Sequence, residues 1–142
     1  TGACLMSTSH TRELAQRFLV FINTQDEKLA SELISPDIRL QTPMRRDPYC
    51  GPAGYLELLR HIRSSFPDVQ WELEEMVAEG DSAACHFTAR GTHAGEFFGI
   101  PPTNKKVSWP AMNIYTFNND KLVREYAQPD FLTLLQQLGM FA

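Results

Sequence analysis

The sequence predicts one α+β domain in which helices pack on one face of a curved, mainly antiparallel sheet. Three observations lead there. Apolar residues recur at helical spacing up to Pro67 and alternate along strands from Val69 onward. The later strands are joined by tight-turn signals, "EGD" at Glu79–Asp81 and "NND" at Asn118–Asp120, so neighbouring strands form hairpins. The closing segment returns to a helical pattern behind Pro129. A chain of 142 residues is the length of one domain, and it can bury roughly two thirds of its unfolded surface.

The start, "TGACLMSTSH", lacks the charged and apolar regions of a signal peptide. Residues 1–8 are set aside as a tail or cloning remnant, and 9–142 form the domain. "SHTRELAQRFLVFINTQ" offers Ser9 or Thr11 as a helix cap, with Leu14, Phe18, Phe21 and Ile22 as its apolar stripe. "DEKLASELI" is a shorter helix that stops at Ser35-Pro36, because the residue before proline avoids the helical region. "DIRLQTP" alternates, with Ile38 and Leu40 on one side and Asp37, Arg39 and Gln41 on the other, and so reads as a strand. "MRRDPYCGP" reads as loop. "AGYLELLRHIRSSF" is a third helix, striped by Tyr55, Leu58, Leu59 and Ile62 and ended by Pro67.

Four strands follow: "VQWELEEMVAEG", "SAACHFTARGTHAG", "KVSWPAMNIYTFNN" and "KLVREYAQ". Pro110 cannot donate to a ladder, which calls for an edge or a bulge there. "PDFLTLLQQLGMF" is the closing helix, with Pro129 suited to its first position and Gly139 as its stop. Such a bent sheet, closed by helices on its concave side, leaves a conical interior. At one end sits "EFFGIPP", an apolar loop where a polar turn is the rule. Its Phe97, Phe98 and Ile100 either plug the core or rim a cavity.

The totals narrow the function. The composition is ordinary for a globular domain, at 43% hydrophobic and 21% charged, and no apolar run approaches a membrane span. The net charge is −4 and the 13 Lys and Arg residues are scattered, so there is no basic stripe for nucleic acid. The 3 cysteines are odd in number and lack CxxC spacing, which fits a reducing compartment and a cytoplasmic protein. Cys85, in an apolar strand, reads as a buried structural thiol. No HxH or HxxxH cluster is present, so no metal is expected.

The stretch "GTHAGEFFGIPPTNKKV", followed by "NIYTFNNDKLVREYAQPDFLTLLQQLG", resembles the SnoaL-like polyketide cyclase family, also called ester cyclases, of the NTF2-like superfamily. The segments "GPAGYLELLRHIRSSFPDVQWELEEMVAEGD" and "SPDIRLQTP" match the same pattern in order, so the resemblance covers roughly residues 9–140. It implies an NTF2-like cone-shaped barrel: a curved, mainly antiparallel sheet wrapped around N-terminal helices, with a C-terminal helix. It also implies a protein without metal or organic cofactor, commonly a homodimer. Members of the family close or rearrange rings of polyketide and terpenoid intermediates by acid–base chemistry in an apolar pocket. The chain departs from the family at two points. Bacterial ring-closing members carry His-Trp-Asp after the last hairpin, the aspartate being the expected acid–base residue; here the stretch is Glu125-Tyr126-Ala127. Relatives often read Asp-His-Asn-Pro on the first strand; here it is "LQTP", with Gln41 at the histidine position. The chain is in this respect closer to the small isomerases and rearrangement catalysts of fungal pathways.

Proton transfer needs a titratable group of shifted pKa facing the substrate. If Ala127 stands at the family aspartate's place, Glu125 lies deeper on the same wall. Asp130 either stabilises the last helix as an acidic residue at its start or supplies the missing acid–base function at the cone mouth. Arg39 either holds a substrate oxygen as negative charge develops or pairs with Asp37 in solvent. Gln41 and Asn113 are candidates to hold oxygens, Asn113 by donating to a carbonyl unless it is a satisfied strand residue. Tyr115 and Trp109 share the Asn113 face and contact either ligand or core. His86 faces either the cone or the outer sheet, and His93 of "GTH" is best explained by a turn-stabilising hydrogen bond. Phe97 and Phe98, with Phe131, form an apolar wall that raises the pKa of a nearby carboxyl.

The resulting expectation is a cofactor-independent isomerase or cyclase of secondary metabolism, acting on an apolar polycyclic intermediate by general acid–base catalysis. Asp130, Glu125 and Arg39 are its catalytic candidates. The rival is a non-catalytic binding protein that uses the same cone, as loss of the family aspartate would suggest. A protein-interaction module using the outer sheet face is a third reading, weakened by the acidic "QWELEEM" strand.

Overall fold

The computed structural model describes residues 7–141. Helix α1 spans Thr8–Thr24. Its cap is Ser7, whose hydroxyl accepts from His10 N at 3.2 Å; neither Ser9 nor Thr11 fills that role. Thr11 is instead buried and donates its hydroxyl to Gly80 O at 2.6 Å. Ser7 and Thr8 therefore belong to the domain, and the rest of the expected tail lies outside the described residues. Helix α2, Glu27–Leu33, is capped by Asp26, which accepts from the backbone of Lys28 and Leu29. Helix α3, Gly51–Ser65, ends before Pro67, as proline requires.

The sheet contains β3 (Gln70–Glu79), β4 (Ser82–Thr92), β5 (Lys106–Asn118) and β6 (Lys121–Pro129), all antiparallel and in sequence order. Both hairpin turns form where the turn residues stand. Asn119 and Asp120 have φ of 51° and 63°, the left-handed pair that a two-residue hairpin needs. The sheet bends at two irregularities of register, between Leu73 and Glu75 and between Thr116 and Phe117.

Three sequence expectations need correction. "MRRDPYCGP" is not all loop: β2, Arg45–Cys50, pairs with β1, Arg39–Thr42, in a separate two-stranded sheet. Its backbone groups find partners in β1, which the charged residues of this segment did not signal. Pro129 ends β6 and does not open the last helix; Asp130 is the cap and α4 spans Phe131–Gln137. Pro110 sits inside β5 opposite Thr88 without a bulge. Its carbonyl accepts from Asp130 N at 2.8 Å where β6 ends, so the side of Pro110 that lacks a donor faces the strand's free end.

The apolar stripes of α1 and α3 pack onto the concave sheet face. Phe18 and Phe21 of α1 meet Tyr55 of α3, and Phe18 also meets Tyr115 of β5, with ring centroids 5.0–5.6 Å apart. Burying each such ring contributes roughly 1.5–3 kcal/mol. A second cluster at the other end joins Phe66, Phe97, Trp109, Leu134 and Leu138. The outer face carries Met112, Ile114 and Tyr126, each about half exposed.

Candidate active site

Between the two clusters the interior does not fill. A cavity remains there, with mostly apolar walls and a few converging polar groups, the make-up of a small-molecule site. Its walls come from α1 and α3 (Ile22, Tyr55, Leu58), the β1–β2 turn (Gln41 to Met44), the inner sheet face (Trp71, Trp109, Asn113, Tyr115, Glu125) and Phe97 and Phe131 at the end.

The "EFFGIPP" loop is held by backbone and by His93. Ala94 N and Gly95 N donate to Ser65 O. Any Cβ on Gly95 would run into the Ser64 carbonyl oxygen, so only glycine permits this approach. His93 is fully buried. Its Nδ1 lies 3.0 Å from Thr103 Oγ1 and accepts from Thr103 N at 3.2 Å, while its backbone pairs with Asn104 and Lys105. The loop so pinned aims Phe97 inward, where it is 5% exposed and belongs to both the core and the cavity wall. Phe98, with φ of 47°, turns the other way. It is 44% exposed and packs edge-on against Phe97 and Phe131 from outside, off the cavity lining. Phe97 is thus plug and wall at once, and Phe98 backs it from outside the cavity.

The titratable groups of the cavity gather around Glu125. Glu125 and Ala127 face Tyr115 and Asn113 across the β5–β6 ladder, and all four line the cavity. Tyr55 Oη donates to Glu125 Oε1 at 2.8 Å. Asn113 Nδ2 donates to Tyr115 Oη at 2.8 Å, leaving Asn113 Oδ1 buried without a partner among the described residues. Burial pushes the Glu125 carboxyl from 4.5 up to about 7, with hydrogen bonds from Tyr55 and Tyr115 pulling the other way. Burial and the adjacent Glu125 hold both phenols well above the usual tyrosine range. A carboxyl that titrates near neutrality in an apolar cavity can take or return a proton.

The other candidates separate. Gln41 and Trp109 line the cavity, but Gln41 spends its amide donor on Arg46 O at 2.9 Å. The β1–β2 ladder slips register between Leu40 and Thr42, so Arg39 and Gln41 do not share a wall: Arg39 is exposed and off the cavity lining. His86 pairs with Glu75 and Met112 and alternates with the buried Cys85 and Phe87, which puts it on the outer face. Asp130 is also absent from the lining. Its carboxylate accepts from Thr133 N at 2.9 Å and Thr133 Oγ1 at 2.7 Å, capping α4. These bonds hold its pKa below the usual value, the opposite of what proton transfer at neutral pH needs. The sequence reading missed Tyr55, which served only as a stripe residue of α3; its hydroxyl opposite an acid-bearing strand was the available signal. Among the described residues no group of three or more His, Cys, Asp and Glu side chains converges as a metal site would, and no helix is long and apolar enough to cross a membrane.

The model of the SnoaL-like polyketide cyclase family matches residues 12–138. The nogalonic acid methyl ester cyclase of Streptomyces nogalater is 27% identical over 119 residues, covering 82% of this chain and 88% of that one. The crystal structure of IdmH from Streptomyces antibioticus is 26% identical, with a TM-score of 0.78, and the match spans 91% of this chain and 98% of that one. TsrD from Streptomyces laurentii has a TM-score of 0.82 at 24% identity, over 96% and 99% of the two chains, and so shares the fold.

Proposed function

From the premise that this chain belongs to the SnoaL-like polyketide cyclase family, with a polyketide cyclase role, we propose that it isomerises or cyclises an apolar polycyclic intermediate by general acid–base catalysis without metal or cofactor. The observation that carries this is the Glu125 carboxyl, set in the cavity wall with Tyr55 donating to it at 2.8 Å. Glu125 removes a proton from carbon next to a carbonyl and returns it at another position. Tyr55 and Tyr115 stabilise the carboxylate before the transfer. The apolar rings of Trp71, Trp109 and Phe97 hold the substrate and exclude water, which strengthens each polar contact inside. Product and substrate then have equal mass, or differ by water when closure is followed by dehydration.

Glu125 stands one ladder step from Ala127, the place where relatives carry their aspartate. Acid–base function from the deeper position favours isomerisation or rearrangement over aldol closure. The same substitution favours a second reading, a binding protein that carries such an intermediate without turning it over. The half-exposed Met112, Ile114 and Tyr126 on the outer sheet face support a homodimer formed through that face.

The test compares metabolites of the source organism with and without this gene, then adds purified protein to the compound that accumulates. Conversion to an isomer, or to a cyclised or dehydrated relative, in the presence of a chelator supports the enzyme. Binding without conversion supports the carrier.

A further inference from the structure

We infer that Asn113 is a specificity-determining residue that accepts a hydrogen bond through Oδ1 from a hydroxyl group of the substrate, so that the cavity selects a hydroxylated polycycle over its ether or ketone counterpart. This inverts the expectation that Asn113 donates to a carbonyl, and it rests on the cavity being the substrate site.

An ionised Glu125 can only accept. It takes one hydrogen bond from Tyr55 Oη at 2.8 Å. Tyr115 stands directly across the ladder from Glu125. Its hydroxyl accepts from Asn113 Nδ2 at 2.8 Å, which keeps its single proton free to give elsewhere. The amide thus sits with NH2 toward Tyr115 and its carbonyl oxygen away from it. Oδ1 is buried with no partner among the described residues, in a side chain that lines the cavity.

A buried acceptor left unpaired costs its full desolvation. A ligand hydroxyl that reaches Oδ1 recovers this, whereas an ether or ketone oxygen adds a second lone pair against the first. A site with a committed hydrogen-bonding group rejects analogues that cannot complement it. Asn113 lies opposite Ala127 and one inward-facing position along β5 from Tyr115, the partner of Glu125. The selected hydroxyl therefore sits close to the carbon from which Glu125 takes its proton, as it would in a β-hydroxy or enolised polyketide ring.

The test measures binding, not turnover, with a matched pair of probes: 2-naphthol and 2-methoxynaphthalene, in equilibrium dialysis against the full chain at pH 8, where Glu125 is mostly ionised. The wild type is expected to hold the naphthol about tenfold tighter, the yield of one satisfied hydrogen bond. Asn113→Leu should bring the two within about twofold while still binding the ether. Tyr115→Phe keeps Asn113 but removes the partner that orients it, and should cut the preference to about threefold or less, an effect a merely structural asparagine would not show. Thermal melts check that both variants fold. If the wild type binds both probes equally, or Asn113→Leu keeps the tenfold preference, the inference is overturned while the cavity stands as a ligand site. If neither probe binds the wild type, the cavity reading falls and the inference with it.

Discussion

Replacing Glu125 by glutamine removes a titratable group while keeping an oxygen to accept from Tyr55, and its effect on stability should depend on pH. The carboxyl pKa rises from 4.5 to about 7 on folding. The folded state therefore binds the proton more tightly than the unfolded chain does. Below pH 4.5 both states are protonated and the site carries no penalty. Between 4.5 and about 7 the unfolded chain ionises first, and stability is lost as pH rises. Above about 7 the loss is complete. At about 1.4 kcal/mol per pH unit over about 2.5 units this comes to about 3.4 kcal/mol, and water at the cavity mouth trims it to about 2–3 kcal/mol. Glu125→Gln escapes the whole sequence. Melts followed by circular dichroism from pH 4 to 8.5 should show the variant within about 1–2 °C of wild type at the acid end. At the alkaline end it should melt roughly 8–10 °C higher, using the usual scale for a domain of this size. A difference that stays constant with pH would refute the claim that folding perturbs this carboxyl.

Tyr55→Phe removes a donor that stabilises the carboxylate, so the acid limb of the pH–rate profile should move up by about half to one pH unit; an unmoved limb would separate Tyr55 from Glu125. Asp130→Ala should lower the melting temperature by a few degrees, through loss of the α4 cap, and leave the pH–rate profile unchanged; a lost limb would return Asp130 to the acid–base role. Gly95→Ala forces a Cβ into the Ser64 carbonyl, costs about 2 kcal/mol or more, and should weaken probe binding by displacing Phe97. Unaltered stability and binding would show that the loop can shift freely.

The periodicity change near Pro67 and the two hairpin turns made the four-stranded sheet readable, because each is a local signal with a local cause. β2 was not readable. Its partner β1 is paired through a register slip, and "RRDPYC" has neither alternation nor branched residues to announce a strand. The same slip separated Arg39 from Gln41, which simple alternation had placed together. Glu125 was legible as an inward residue two positions before Ala127. Its partner Tyr55 was not, because the hydrogen bond joins residues 70 positions apart and helical spacing explains Tyr55 equally well as packing. Asp130 had two readings from one sequence, and the deciding fact was local: Thr133, three residues on, supplies both a backbone and a hydroxyl donor.

The most direct test of the account is the turnover of the accumulating intermediate by wild type and by Glu125→Gln across pH 5–9, with a chelator present throughout. The wild-type rate should rise with pH through an apparent pKa near 7 and level off, as a carboxylate base requires. The variant should lose at least about a hundredfold in rate at every pH while still binding the compound. A variant that turns over at the wild-type rate, or a wild-type profile flat through pH 7, would contradict Glu125 as the proton-transfer residue.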